Sequence, residues 1–191
     1  VYSQRCREAY KHVPLIIGGI EASLRRLAHY DYWSNKIRRS ILMDAKADLL
    51  LYGNAERALV EITHRLAAHQ PLHDMRDIRG TAFALKQTPQ DWIELDSSEI
   101  DEPGALITHP DPYAKTPACP AEKATATVVK NLREVPREQR QNVVVRLPSY
   151  EKLKNDNVLY AHASRVFHLE TNPGNARPLV QSHGHREVWI N

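Results

Sequence analysis

Short apolar runs that stop at glycine, each followed by a stretch of helical spacing, give this chain the rhythm of strand–turn–helix units. Leu15-Ile16-Ile17 ends at Gly18-Gly19, and Leu24 and Leu27 then share one face of a predicted helix over 21–27 whose other face carries Arg25 and Arg26. A second run over 47–53 ends at Gly53. Behind it Asn54 is placed to cap a helix bearing Leu59, Ile62, Leu66 and Ala67, with Glu56 in the first turn. Unbroken apolar runs of this kind belong to parallel strands covered on both faces.

The remaining pattern extends the same class. Helix-like spacing over 4–11 precedes the first strand, and because the chain opens at Val1 inside it, the expected start is within a domain. The aromatic stretch over 29–34 predicts a packed loop, followed by a short helix over 36–43. A strand over 78–85 has 92–95 as its expected hairpin partner. Residues 96–120, rich in Pro, Asp and Ser, predict loop, and 121–132 predict helix. A strand over 142–147 is stopped by Pro148, a helix runs from about 149 to 168, and strands over 178–181 and 187–190 flank a turn. The expected class is α/β, with a parallel sheet and flanking helices plus a helical and hairpin extension.

Composition sharpens this by exclusion. A chain of 191 residues, 42% hydrophobic, buries one sizeable core. Its 26 basic and 23 acidic side chains are interspersed and leave a net charge of only +3, which argues against a dedicated nucleic-acid or membrane-surface protein. No apolar run approaches the ~20 residues of a spanning helix, and no signal-peptide core is present. Cys6 and Cys119 have no paired spacing, so they define neither a disulfide framework nor a zinc site and fit a reducing, cytoplasmic setting.

Candidate chemistry gathers at the two glycine turns, because open sheets bind ligands at the carboxyl ends of parallel strands. The candidate ligand-facing residues are Gly18, Gly19, Glu21, Ser23, Gly53, Asn54 and Glu56. Arg25 and Arg26 are the anion-binding candidates, with Arg38 and Arg39 nearby; the same arginines equally suit a solvated, ion-paired face. Asp31, Asp44 and Asp48 add carboxylates without the pairing that general acid–base work needs. His183 and His185 lack a third ligand and predict exposed hairpin histidines. No nucleophile elbow, phosphate loop or metalloprotease helix is present, so no catalytic residue and no metal ligand is assigned.

The most distinctive words are PLIIGGIEASLRRLAHYDYWS over 14–34, AKAD over 45–48, IRGT over 78–81, LPSYE over 147–151 and ETNPGNARPLVQ over 170–181. Together they closely resemble the YgiQ-type family of radical SAM proteins. The resemblance implies a full-length protein in which a Rossmann-like region, similar to the cobalamin-binding domains of other radical SAM enzymes, precedes a radical SAM barrel. It divides this chain into the C-terminal half of that region over 1–95, an irregular linker over 96–141, and an extension over 142–191 leading toward the barrel. It also matches the Gly18-Gly19 turn and the turn from Gly53 to Glu56 to the strand ends that face the cofactor, with cobalamin an open option. The family's centre needs three cysteines as CxxxCxxC to hold a [4Fe–4S] cluster that binds S-adenosylmethionine, and this chain has no such spacing. The expectation is therefore a non-catalytic accessory segment, holding no cofactor alone and partnered by the barrel of the same protein. The alternative is an independent protein- or RNA-binding module that uses Arg25, Arg26, Arg38 and Arg39 with Tyr30, Tyr32 and Trp33.

Overall fold

The computed structural model describes residues 1–105, 142–171 and 176–191. In chain order its first elements are α1 (Tyr2–Ala9), β1 (Ile16–Ile17), α2 (Ile20–Leu24), β2 (His29–Asp31), β3 (Lys36–Arg38) and α3 (Ile41–Ala45). Next come β4 (Leu49–Leu51), α4 (Glu56–Ala67), β5 (Thr81–Leu85) and β6 (Ile93–Asp96). The last are β7 (Val143–Leu147), α5 (Tyr150–Leu153), α6 (Asn157–Leu169), β8 (Leu179–His183) and β9 (Arg186–Ile190).

Seven strands form one sheet in the order β1-β4-β5-β9-β8-β7-β6, and β2 and β3 form a separate hairpin. The α/β class holds, but the sheet is mixed. β1 runs parallel to β4, and β6, β7 and β8 run parallel to one another. Between these groups the β4–β5, β5–β9 and β9–β8 pairs are antiparallel, so the two parallel groups point in opposite directions. Their carboxyl ends consequently lie on opposite edges of the sheet.

Both faces are covered, which is why the strands read as unbroken apolar runs. On one face Leu50, Ala82, Val145 and Val188 pack under Ala22, Leu42 and Val166 of α2, α3 and α6 and under Leu27 in the bend that follows α2, which ends at Leu24 and not at 27. On the other, Leu51, Phe83, Val144 and Trp189 pack against Ala58, Ile62 and Met75. Each fully buried aliphatic side chain contributes about 1.5–3 kcal/mol.

Several expectations are corrected by long-range packing. The segment over 92–95 does not pair with β5; β6 lies beside β7 in parallel, Ile93 opposite Val143. Both edges of β5 are already taken by β4 and β9, with Phe83 opposite Trp189. Trp189 stacks on Phe83 at 6.3 Å and meets Trp92 edge-on at 4.8 Å, so the aromatics next to both segments meet through β9. The stretch over 29–38 is a hairpin, and helix begins only at Ile41, where Ser40 Oγ accepts from the Leu42 N–H.

Asn54 is not the cap of α4; Ala55 occupies that position without a side-chain bond. The helix expected over 149–168 is two helices, because Asp156 accepts from the N–H groups of Val158 and Leu159 and starts α6 afresh. Within the expected loop over 96–120, Ser97–Glu99 forms a 3₁₀ turn, and residues from 106 onward, with Cys119 and the helix over 121–132, lie outside the described residues.

Candidate functional site

β1 and β4 end side by side, so their glycine turns share one edge, as the parallel pairing dictates. Gly19 stands at φ +93°, ψ −178°, a region essentially restricted to glycine, and Gly53 at φ +66°. Gly18 is different: an added Cβ would meet Leu51 at an ordinary 3.6–3.7 Å, so space does not demand glycine there.

One hydroxyl joins the two turns. Ser23 Oγ donates to the Gly19 carbonyl at 2.8 Å and accepts the Gly53 N–H at 3.2 Å. Asn54 and Glu56 stand exposed on the rim of this edge. Glu21 is committed along its own helix, its carboxylate 2.9 Å from Arg25.

Arg26 turns inward. Its Nη1 donates to the Ser23 carbonyl, and its guanidinium lies 4.5 Å from the Tyr52 ring centre and 4.2 Å from that of Phe167. Burial lowers the Arg26 pKa, with Tyr52 opposing, and burial raises the Tyr52 phenol. A guanidinium between two ring faces is held by their quadrupoles and serves packing more than anion capture.

The other candidate charges are also spoken for. Arg38 Nε lies 2.6 Å from Asp31, Arg39 pairs with Asp44, and Asp48 takes both Arg7 and the Leu15 N–H at 2.6 Å. Hydrogen bonds from Ser34 and Arg38 hold the Asp31 carboxyl down at about 2. A cavity of about 90 Å³ is lined by Leu24, Arg26, His29, Gln181 and Phe167 among others, and by none of the turn glycines. Ligand-enclosing pockets run to about 300–1,000 Å³, so this one does not hold a cobalamin or S-adenosylmethionine.

His183 corrects its expectation: it is buried, and only His185 is exposed. Its Nε2 bonds Gln181 Oε1 at 3.1 Å and its ring stacks on Tyr150 at 5.6 Å, while burial pushes its pKa down to about 4. Gln181 fixes the surroundings, since its Oε1 accepts the Ala28 N–H and its Nε2 donates to the Pro148 carbonyl. The strand pattern predicted the hairpin but not which histidine faces inward.

Sequence reasoning missed a cluster at the carboxyl end of β6. His162 Nδ1 lies 3.1 Å from Asp101 Oδ2, its Nε2 lies 3.1 Å from Ser97 Oγ, and Arg165 sits 3.2 Å from Asp101 Oδ1. The contacts run in the order of a serine-nucleophile triad. Yet Ser97 is 1% exposed, His162 3% and Asp101 3%, so a substrate has no approach and the group acts as a bolt between the 3₁₀ turn and α6. The partners are 61 and 65 positions apart, which no local signal reveals.

Among the described residues no three His, Cys, Asp or Glu side chains gather as a metal site. A [4Fe–4S] cluster bound in the radical SAM manner needs three thiolates, and the sequence holds two cysteines, with Cys6 exposed on α1. The residues present do not fit that group.

Taken together, fold and site define a mixed α/β domain with a tied pair of glycine turns at one sheet edge. The chain belongs to the radical SAM N-terminal family, whose model matches residues 1–191, and within it to the YgiQ family. Its relatives are UPF0313 proteins: it is 58% identical to one from Pseudomonas aeruginosa, 57% to one from Pseudomonas syringae and 57% to one from Vibrio cholerae. Each match covers 100% of this chain but 27%, 26% and 24% of the respective relative, so the chain spans about a quarter of their length. No solved structure gives a significant match. No helix among the described residues is long and apolar enough to cross a membrane.

Proposed function

We propose that this chain is the accessory N-terminal region of a cytoplasmic radical SAM enzyme, with no catalytic centre of its own. In the full-length protein it packs beside the barrel that carries the [4Fe–4S] cluster and helps cover the S-adenosylmethionine or substrate site. One observation carries the reading: a radical SAM N-terminal match over residues 1–191 in a chain with too few cysteines for the cluster.

The parallel β1/β4 pair is the part of the sheet on which a Rossmann-like reading rests. Gly19, Ser23 and Gly53, flanked by Gly18, Asn54 and Glu56, form the edge assigned to the cofactor or substrate side. Arg26 supports Ser23 from beneath, and Arg25 remains with Glu21. The tight turns, tied to each other through the Ser23 hydroxyl, favour covering a site over enclosing a cobalamin. Ion pairing of Arg25, Arg38 and Arg39 speaks against an RNA-binding face, which needs free cations for phosphates.

The test is reconstitution of the full-length protein with iron and sulfide, followed by reduction in the presence of S-adenosylmethionine. About four irons per polypeptide and reductive cleavage of S-adenosylmethionine are expected. A full-length protein that takes up no cluster overturns the reading.

A further inference from the structure

The β2–β3 hairpin is built rigidly and spends that rigidity on an exposed tip. Asp31 accepts hydrogen bonds from Ser34 Oγ at 2.7 Å, Arg38 Nε at 2.6 Å and the Trp33 N–H at 3.3 Å. Tyr30 Oη donates to Asn35 Oδ1 at 2.7 Å, which holds Asn35 in the left-handed region at φ +49°. The base is anchored to α6, where Tyr160 Oη accepts the Tyr30 N–H at 2.9 Å, and Ile37 is buried against Leu153 and Ala163.

What this frame presents is apolar. Tyr32 is 78% and Trp33 90% exposed, their rings edge-to-face at 5.9 Å. On α2, Ile20 and Leu24, one turn apart, are 81% and 73% exposed. Leu24 shares its cavity with His29 of β2 and Tyr160, so this side of α2 continues toward the hairpin. Pre-ordered aromatics of 150–250 Å² each are the usual anchors of protein interfaces, because little side-chain entropy is lost when they are covered. The nearby Arg25 and Arg38 are paired with Glu21 and Asp31, so their charges are offset and, with Lys36 exposed beside them, the surface suits a partner that is mainly apolar.

We propose that Tyr32 and Trp33 on the hairpin tip, with Ile20 and Leu24 of α2, form the docking surface for the remainder of the full-length polypeptide. The inference rests on the accessory-region reading above. The choice of occupant follows from length, since relatives matched along this whole chain are about four times longer, leaving some three quarters of the protein to be accommodated.

The experiment places a photo-crosslinking benzoylphenylalanine at position 33 of the full-length protein and measures crosslinks and iron content on one sample. Crosslinks to residues of the same polypeptide outside 1–191 are expected. Crosslinks only to a second copy or to another protein, or none, overturn the docking surface while a normal iron content leaves the radical SAM reading standing. Intramolecular crosslinks without iron uphold the docking surface and overturn that reading instead. As a second measure, the double variant Tyr32→Ala and Trp33→Ala is expected to raise limited proteolysis between this region and the remainder roughly tenfold or more; an unchanged rate overturns the proposal.

Discussion

Gly18 and Gly19 are adjacent and identical in sequence, yet the structure separates their roles. Gly19→Ala forces a side chain into a glycine-only backbone region and is expected to cost about 1–3 kcal/mol in urea unfolding, whereas Gly18→Ala meets only ordinary contacts and should fall within about 0.5 kcal/mol of the parent. Equal effects would remove the claim that conformation, not proximity, demands the second glycine. His183 makes a different residue-scale prediction. It is neutral in the fold, with Glu151, Arg39, Asp44 and His29 around it, and its value of about 4 lies below the ordinary 6.5. Its stabilising contribution is therefore complete above about pH 6.5 and is lost as pH falls toward 4, by up to about 3 kcal/mol. Thermal unfolding across that window should show the loss, and His183→Gln should flatten it; an unchanged slope in the variant would contradict the assignment. The sequence placed both glycines at turns, but burial of one histidine out of two depends on Gln181 and Tyr150, which local pattern does not encode.

At the scale of elements, legibility followed the range of the interactions. β1, β4 and their turns were readable because a short apolar run and a following glycine are local features. The β2–β3 hairpin reads as a loop over 29–34 and a helix from 36 because its aromatics face solvent and its order comes from Ser34 and Arg38 both bonding to Asp31. The β5–β9 pairing escaped because residues about a hundred positions apart compete with a nearer, equally plausible partner. The buried bolt belongs here too: it fixes the 3₁₀ turn after β6 to α6 through His162, Asp101 and Arg165. Asp101→Ala strands two basic side chains and is expected to cost about 3–5 kcal/mol in chemical denaturation. Ser97→Ala removes one hydrogen bond and leaves the buried His162 Nε2 without that partner, and should cost about 1–3 kcal/mol. A larger loss from Ser97→Ala than from Asp101→Ala would contradict a purely structural bolt.

For the whole molecule, the opposed directions of the two parallel groups give the sheet two carboxyl edges with different contents. One carries the tied turns of Gly19 and Gly53, and the other carries the sealed Ser97–His162–Asp101 group. The first is built from backbone groups and the Ser23 hydroxyl, and the second is closed to solvent. The family was legible from the quoted sequence words, whereas the mixed sheet was not, since antiparallel β5 and β9 are contributed by distant stretches that read alone as ordinary strands. The measurement that tests the central claim most directly is the iron content of the reconstituted full-length protein carrying Cys6→Ser and Cys119→Ser. If the cluster thiolates lie outside this region, iron content stays at about four per polypeptide. Loss of the cluster on removing these two cysteines would put a ligand inside residues 1–191 and contradict the account.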